Sequence, residues 1–250
     1  MSPMLDSRTR FAASAEHYQQ HRPSYPDALV DWVIDTTGQR PPARVVDVGC
    51  GTGIATRLFA ARGYHMVGVD PNREMLAFAQ AKGGARYLCA EAASTALRAR
   101  SVDLVLAAQC FHWFDTAPTL RELARVLQPD GWCAVFWNLR AQSPVMDDYD
   151  GLIRTFSSEY DVLVQQEAAP SALRAAAGVV ACRETELPNA QTLDREGLFG
   201  RAYSSSCVTH GVTDRAGFER GLSALFERHQ SGGRVELRYR TVCLCFQIQA

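Results

Sequence analysis

No feature of this chain constrains its fold more than the nine residues Val45-Val46-Asp47-Val48-Gly49-Cys50-Gly51-Thr52-Gly53, a short β-branched run that passes directly into three glycines at alternate positions. A helical pattern follows at once with Ile54 and Leu58. Glycine in such a place lets the backbone turn sharply and come close to a ligand. Four further runs repeat the theme: HMVGVD at 65–70, RYLCA at 86–90, VDLVLAA at 102–108 and CAVFWN at 133–138. Between them, Met75, Leu76 and Ala79, and then Leu120, Leu123, Ala124 and Leu127, recur at helical spacing. Strands alternating with helices predict an α/β chain with a parallel sheet covered on both faces. Pro129-Asp130-Gly131 marks the turn before the fifth strand.

Seventeen residues beyond Gly53 stands Asp70, the last residue of the second run. A carboxylate there can accept hydrogen bonds from both hydroxyls of a ribose, so loop and acid together suggest a nucleoside ligand. A dinucleotide fingerprint requires G-x-G-x-x-G, with the third glycine packing helix on strand around a pyrophosphate. This chain reads G-x-G-x-G, with the branched Ile54 where that glycine would be, which favours a ligand without pyrophosphate.

VVDVGCGTG, Asp70-Pro71 followed by Met75, Glu91-Ala92, VDLVLAAQCFHWFD and LQPDG occur in an order that resembles the class I S-adenosylmethionine (SAM) dependent methyltransferases of the type 11 domain. Within that class, AEHYQQHRPSYP at 15–26 and the HWF after the fourth strand resemble the small-molecule branch that includes the trans-aconitate methyltransferases. The resemblance implies a Rossmann-like, seven-stranded, mostly parallel sheet with helices on both faces and a partial cap. It implies SAM as cofactor and S-adenosyl-L-homocysteine as product. Gly49, Cys50 and Gly51 would line its amino-acid part, Asp70 would hold the ribose, and Pro71 and Met75 would border the adenine. Glu91 and Ala92 would meet the adenine edge, and Gln109 the methionyl group. Tyr18 and Arg22 would belong to a segment closing over the cofactor, with Arg22 facing its carboxylate.

By this reading residues 1–40 form a lid and a first helix, 41–140 the SAM-binding core, 141–233 a cap insertion with helices, and 234–250 the last strand of the sheet. The length of 250 residues suits one large domain. Lys and Arg total 26 against 27 Asp and Glu, a net charge of −1. A balance so even offers no field for nucleic acid or an anionic membrane. The resemblance implies a small-molecule acceptor, and a monomer or homodimer is expected. The eight cysteines form no C-x-x-C pair and read as free thiols; with no apolar leader or span, the expected location is the cytoplasm.

Methyl transfer from a sulfonium needs alignment more than acid or base chemistry. His112, just past the fourth strand, is the candidate base, with an ordinary pKa near ~6.5 suited to neutral pH. Trp113, Phe114 and Tyr203 are candidates for the acceptor pocket. An acidic acceptor would call on cap cations, among which Arg154, Arg174, Arg183, Arg195 and Arg201 are not distinguished by sequence; an apolar one would use Trp113, Phe114, Phe156 and Tyr203. His17 and His21 lie four apart with no third ligand in view, so no metal site is expected. Two other readings stay open: a SAM-fold protein without transfer activity, and an NAD(P)-dependent oxidoreductase.

Overall fold

The computed structural model describes residues 21–249. Tyr18 and His17 lie outside the described residues. Seven strands form one sheet: β1 Arg44–Val48, β2 His65–Asp70, β3 Arg86–Cys89, β4 Val102–Ala108, β5 Leu127–Arg140, β6 Val179–Leu193 and β7 Val235–Ile248. Their order across the sheet is β3-β2-β1-β4-β5-β7-β6. The first five run parallel, with Val46 opposite both Val67 and Val105, whereas β7 lies antiparallel between β5 and β6.

Alternation of side chains along each strand sorts the apolar residues onto two faces. Val45, Leu104, Leu106, Ala134 and Phe136 pack against helix α1 (Asp27–Thr37) and helix α2 (Ile54–Ala60) through Leu29, Val33 and Phe59. Val46, Val105, Val135 and Trp137 face the other way, against Leu120, Leu123 and Val126 of α4 (Thr116–Val126). Each fully buried Leu or Phe contributes roughly 1.5–3 kcal/mol, and covering both faces is what allows the parallel strands to be apolar throughout. Helix α3 (Arg73–Lys82) begins three residues after the end of β2, where the Asn72 side chain accepts from the backbone N–H groups of Glu74 and Met75.

The cap has a core of its own. Helices α5 (Pro144–Phe156), α6 (Asp161–Arg174), α7 (Arg195–Tyr203), α8 (Ser206–Gly211) and α9 (Arg215–His229) are the remaining α-helices among the described residues. Tyr149 and Ile153 of α5, Leu198 of α7, and Phe218 and Leu222 of α9 gather on the first half of β7 through Val235, Leu237 and Tyr239. The second half of β7 enters the main sheet core with Val242, Leu244 and Phe246. Residues 141–233 also contain a sheet strand, β6, which the sequence reading did not anticipate. Its side chains alternate between half-buried and exposed and include Pro188, the composition of an edge strand. Among the described residues, no helix is long and apolar enough to cross a membrane.

Candidate functional site

The site forms at the carboxyl ends of β1, β2 and β4, where the sheet order reverses and open α/β sheets leave a crevice. As β1 ends, Gly49 and Cys50 both donate their N–H to the Val69 carbonyl, at 2.8 and 3.1 Å. The chain then turns through Gly49, Gly51 and Gly53 at φ of 72°, 53° and 79°, a region that side-chain-bearing residues avoid. A Cβ on Gly49 would lie 2.7 Å from the Cys110 sulfur and 2.9 Å from the Phe114 ring. A Cβ on Gly51 would meet nothing within 4 Å. Gly49 is therefore closed in by the next strand end, and Gly51 faces open space.

Asp70 bounds the other side of that space. Only 9% exposed, its carboxylate accepts from the Gly51 N–H at 2.9 Å and from the Asn72 N–H at 2.8 Å. Burial raises its pKa and the two backbone donors oppose the rise. One lone pair on each oxygen is thus committed to the fold and the others remain for a ligand. Beneath the loop, Asp47 is fully buried; Thr56 donates to one of its oxygens at 2.5 Å and the other has no partner. Desolvation pushes its pKa up to about 7.

A cavity of about 80 Å³ lies here, with Gly49, Gly51, Asp70, Pro71, Met75 and Gln109 in its wall. Six of the residues expected to hold the cofactor are thereby brought together. Asn72, Ala108 and Cys110 join them without having been foreseen. For Asn72 the signal was present as a helix N-cap two residues after Asp70. Trp113 and Phe114, expected at the acceptor, line this same cavity, because the short 3-10 turn Phe111–Trp113 folds back toward Gly49. Cys50 turns beneath the loop to pack with Leu76, Ala79 and Tyr87. Glu91 and Ala92 are not in the cavity wall: Glu91 closes a small turn with Ser94, and Ala92 packs on the sheet core. Tyr203 is also absent from it, since its ring packs on Phe218 and its hydroxyl donates to Glu219 at 2.8 Å.

Gln109 joins this cavity to two smaller chambers under the cap, of about 20 and 30 Å³. Held at φ 61°, it donates its N–H to the Phe136 carbonyl, while its carboxamide pairs with both the N–H and the carbonyl of Asn138 at 2.7 and 3.3 Å. A side chain thus continues the β4–β5 ladder past the point where the backbones part. Arg22 lines both chambers and donates from Nε and Nη2 to the Ser204 carbonyl at 3.2 and 3.0 Å. His112 lines the second chamber, and its buried Nδ1 has no hydrogen-bond partner. Desolvation, with a smaller contribution from Arg22, lowers its pKa to about 3 rather than leaving it near the usual value. Burial thus favours the neutral imidazole, where the sequence reading expected an ordinary pKa near ~6.5.

With this geometry in view, comparison with known proteins identifies the fold. Residues 46–135 match the protein family described as Methyltransferase domain. An uncharacterised methyltransferase of Mycobacterium tuberculosis is 38% identical over 136 residues, 54% of this chain and 54% of the relative. The match thus spans about half the length of that curated relative. A solved candidate type II methyltransferase of Anaeromyxobacter dehalogenans is 25% identical, with a TM-score of 0.64 over 90% of this chain and 96% of that one. Phosphoethanolamine N-methyltransferase 2 of Haemonchus contortus, solved with S-adenosylhomocysteine, shares the fold at 14% identity and a TM-score of 0.56, over 99% of this chain and 59% of that one. The chain has the Rossmann-like, seven-stranded fold of the class I methyltransferases, with the methyltransferase-domain match on the glycine loop and strands β1 to β5.

Proposed function

We propose that the protein is a SAM-dependent methyltransferase acting on a small molecule. The observation that carries this reading is the space over Gly51, bounded by left-handed glycines on one side and by the half-committed Asp70 carboxylate on the other, inside the segment that matches the methyltransferase domain. Gly49 and Gly51 would hold the amino-acid part of SAM with backbone atoms, Asp70 the ribose hydroxyls, and Pro71 and Met75 the adenine. Trp113 and Phe114 would flank the cofactor and shield its reacting end. SAM, when bound, supplies a methyl group on a sulfonium leaving group. The protein's share is orientation and exclusion of water, which together can supply ~7–11 kcal/mol of a barrier.

A pKa near 3 makes His112 a poor proton acceptor at pH 7. We assign it a positioning role instead, as a neutral hydrogen-bonding group in the inner chamber. The roofed chambers under the cap support a small acceptor over a polymer. The composition and the small cavities agree with the small-molecule branch of the class.

Calorimetric titration of the purified protein with SAM, S-adenosylhomocysteine, NAD and NADP tests the assignment. Binding of the two adenosyl-methionine ligands alone is expected. Binding of a nicotinamide nucleotide, or of none of the four, overturns it.

A further inference from the structure

The two chambers under the cap differ in how they meet the glycine-loop cavity and in what they offer a ligand. Both share Gln109 with that cavity, and the second, which holds His112, shares Trp113 with it as well. The first is crowded with charge. There Arg201 of α7, 6% exposed, donates from Nε to the Tyr239 hydroxyl at 2.9 Å and from Nη1 to the Ser204 hydroxyl at 3.4 Å. Arg140 pairs there with Asp150 at 2.5 Å, and Glu167 lies 3.8 Å from Arg240.

The second chamber is walled mostly by Trp113, Val162, Leu163, Gln166 and Cys207 around His112. Among the described residues its charged or titratable groups are Arg22, His112 and Cys207, with no carboxylate. Arg22 turns two donors onto the Ser204 carbonyl, and the Cys207 sulfur is paired with the Ser205 hydroxyl at 3.3 Å. His112 Nδ1, buried and without a hydrogen-bond partner, is the open polar position. A buried polar atom left unpaired is costly, and a ligand atom that completes its bond is favoured by that cost.

Burial and the Arg22 charge both press His112 toward its neutral form. The same surroundings act on an ionisable ligand group seated beside it. An ammonium would lose its water there and gain no counter-ion, so an amine is held as the free base. In that form it needs no base from the protein. Its lone pair takes the methyl group, the bonding electrons stay with the sulfur leaving group, and the nitrogen becomes an ammonium that keeps its own proton. A hydroxyl acceptor would have to surrender a proton, for which His112 is a poor acceptor. The chamber, of about 30 Å³, admits an amino group and the carbon that bears it. Leu163 also borders an outer groove of about 660 Å³ between α5 and α6, with Met146 and Val164 in its wall, which suits an apolar body.

We propose that the acceptor is an apolar amine, methylated on nitrogen in the chamber of His112, with one N–H donated to His112 Nδ1 and the hydrocarbon body lying past Leu163 in the α5–α6 groove. This rests on the methyltransferase reading. Hexylamine, hexanol and hexanoate serve as probes, titrated calorimetrically into the native protein saturated with S-adenosylhomocysteine. At pH 9 hexylamine is expected to bind about tenfold tighter than either of the others. At pH 7.5 its binding should release about one proton, read from the heats in buffers of different ionisation enthalpy. His112→Leu should weaken hexylamine about tenfold, and His112→Gln, which keeps a hydrogen-bond acceptor, should restore most of that affinity. Both variants are expected to bind S-adenosylhomocysteine within about threefold of the native protein. Amine binding without proton release, hexanol or hexanoate binding as tightly as the amine, absence of amine binding, or indifference to His112→Leu overturns the proposal. Proton release by the native protein decides the matter if His112→Leu does not fold. Failure of S-adenosylhomocysteine to bind the native protein would be a separate failure, that of the cofactor assignment.

Discussion

The glycine-loop cavity and the chamber under the cap meet at Gln109, yet they are built by opposite means. Along the cavity, a buried charge, Asp70, is held by backbone N–H groups from Gly51 and Asn72. In the chamber, a buried charge, Arg201, is held by side-chain hydroxyls, and the chamber is closed by contacts such as that from Arg22 to Ser204, residues 182 apart in sequence. A backbone cradle follows from the path of the chain and tolerates almost no change in residue type at a glycine closed in as Gly49 is. A side-chain chamber can be refitted, because its residues come from helices whose packing does not depend on the chemistry they present. The same sheet can therefore keep one cofactor site and carry many acceptor sites.

The difference can be broken most forcefully at Gly49. Gly49→Ala drives a methyl group against Cys110 and Phe114 at a left-handed φ, and is expected to cost roughly 2–4 kcal/mol in chemical denaturation and to abolish S-adenosylhomocysteine binding. Gly51→Ala, with open space around the new atom, should cost only about 1 kcal/mol; equal losses at the two glycines would show that the loop is not closed as described.

Asp70→Ala comes next. Loss of a charged acceptor should weaken S-adenosylhomocysteine by ~1.5–3 kcal/mol, about ten- to a hundredfold by calorimetry, and unchanged affinity would move the ribose elsewhere.

At Asp47 the expected effect is on the pH dependence of stability. Its folded pKa of about 7 lies above the ordinary value of 3.8, so the native state keeps a proton that the unfolded chain releases. The stability contributed by this group is full below pH ~4 and is lost as pH rises toward 7. Asp47→Asn should flatten the pH dependence of unfolding across that window; an unaltered slope would mean that the carboxyl is ionised in the fold.

The mildest prediction concerns His112, which lies in the chamber and not in the cradle. Its imidazole resonances should not titrate between pH 5 and 8, and His112→Gln should leave any neutral-range inflection in the rate profile in place while lowering the rate less than about tenfold. Protonation near 6.5 by NMR would restore the base role.

These contrasts also explain what could be read from the sequence. Gly49, Gly51 and Asp70 lie within one β-α-β unit and Pro71 and Met75 in the turn and helix that follow it, so local spacing places them together. Gln109 follows β4 by one residue and is found by the same logic. Trp113 and Phe114 were correctly located near a strand end, but a linear reading cannot show that a tight turn sends them back over the glycine loop. Tyr203 stood out as an aromatic residue in the cap, and only the packing of α7 on α9 shows that it spends its hydroxyl on Glu219. Arg201 was one cap arginine among five, distinguished solely by burial that no local pattern encodes. Strand β6 escaped notice because an edge strand with polar side chains and a proline lacks the apolar run that marked the interior strands.

The position of β7 between β5 and β6 has a consequence for biosynthesis. Among the described residues β6 pairs with β7 alone, and Val235 leaves the ribosome about 40 residues after Leu193. At ~5–20 residues per second, β6 exists for a few seconds with both of its edges unmatched, while the five parallel strands are already available to fold. Its exposed Arg183, Glu184 and Glu186 give it the charged flanks that deter pairing with another nascent chain during that interval.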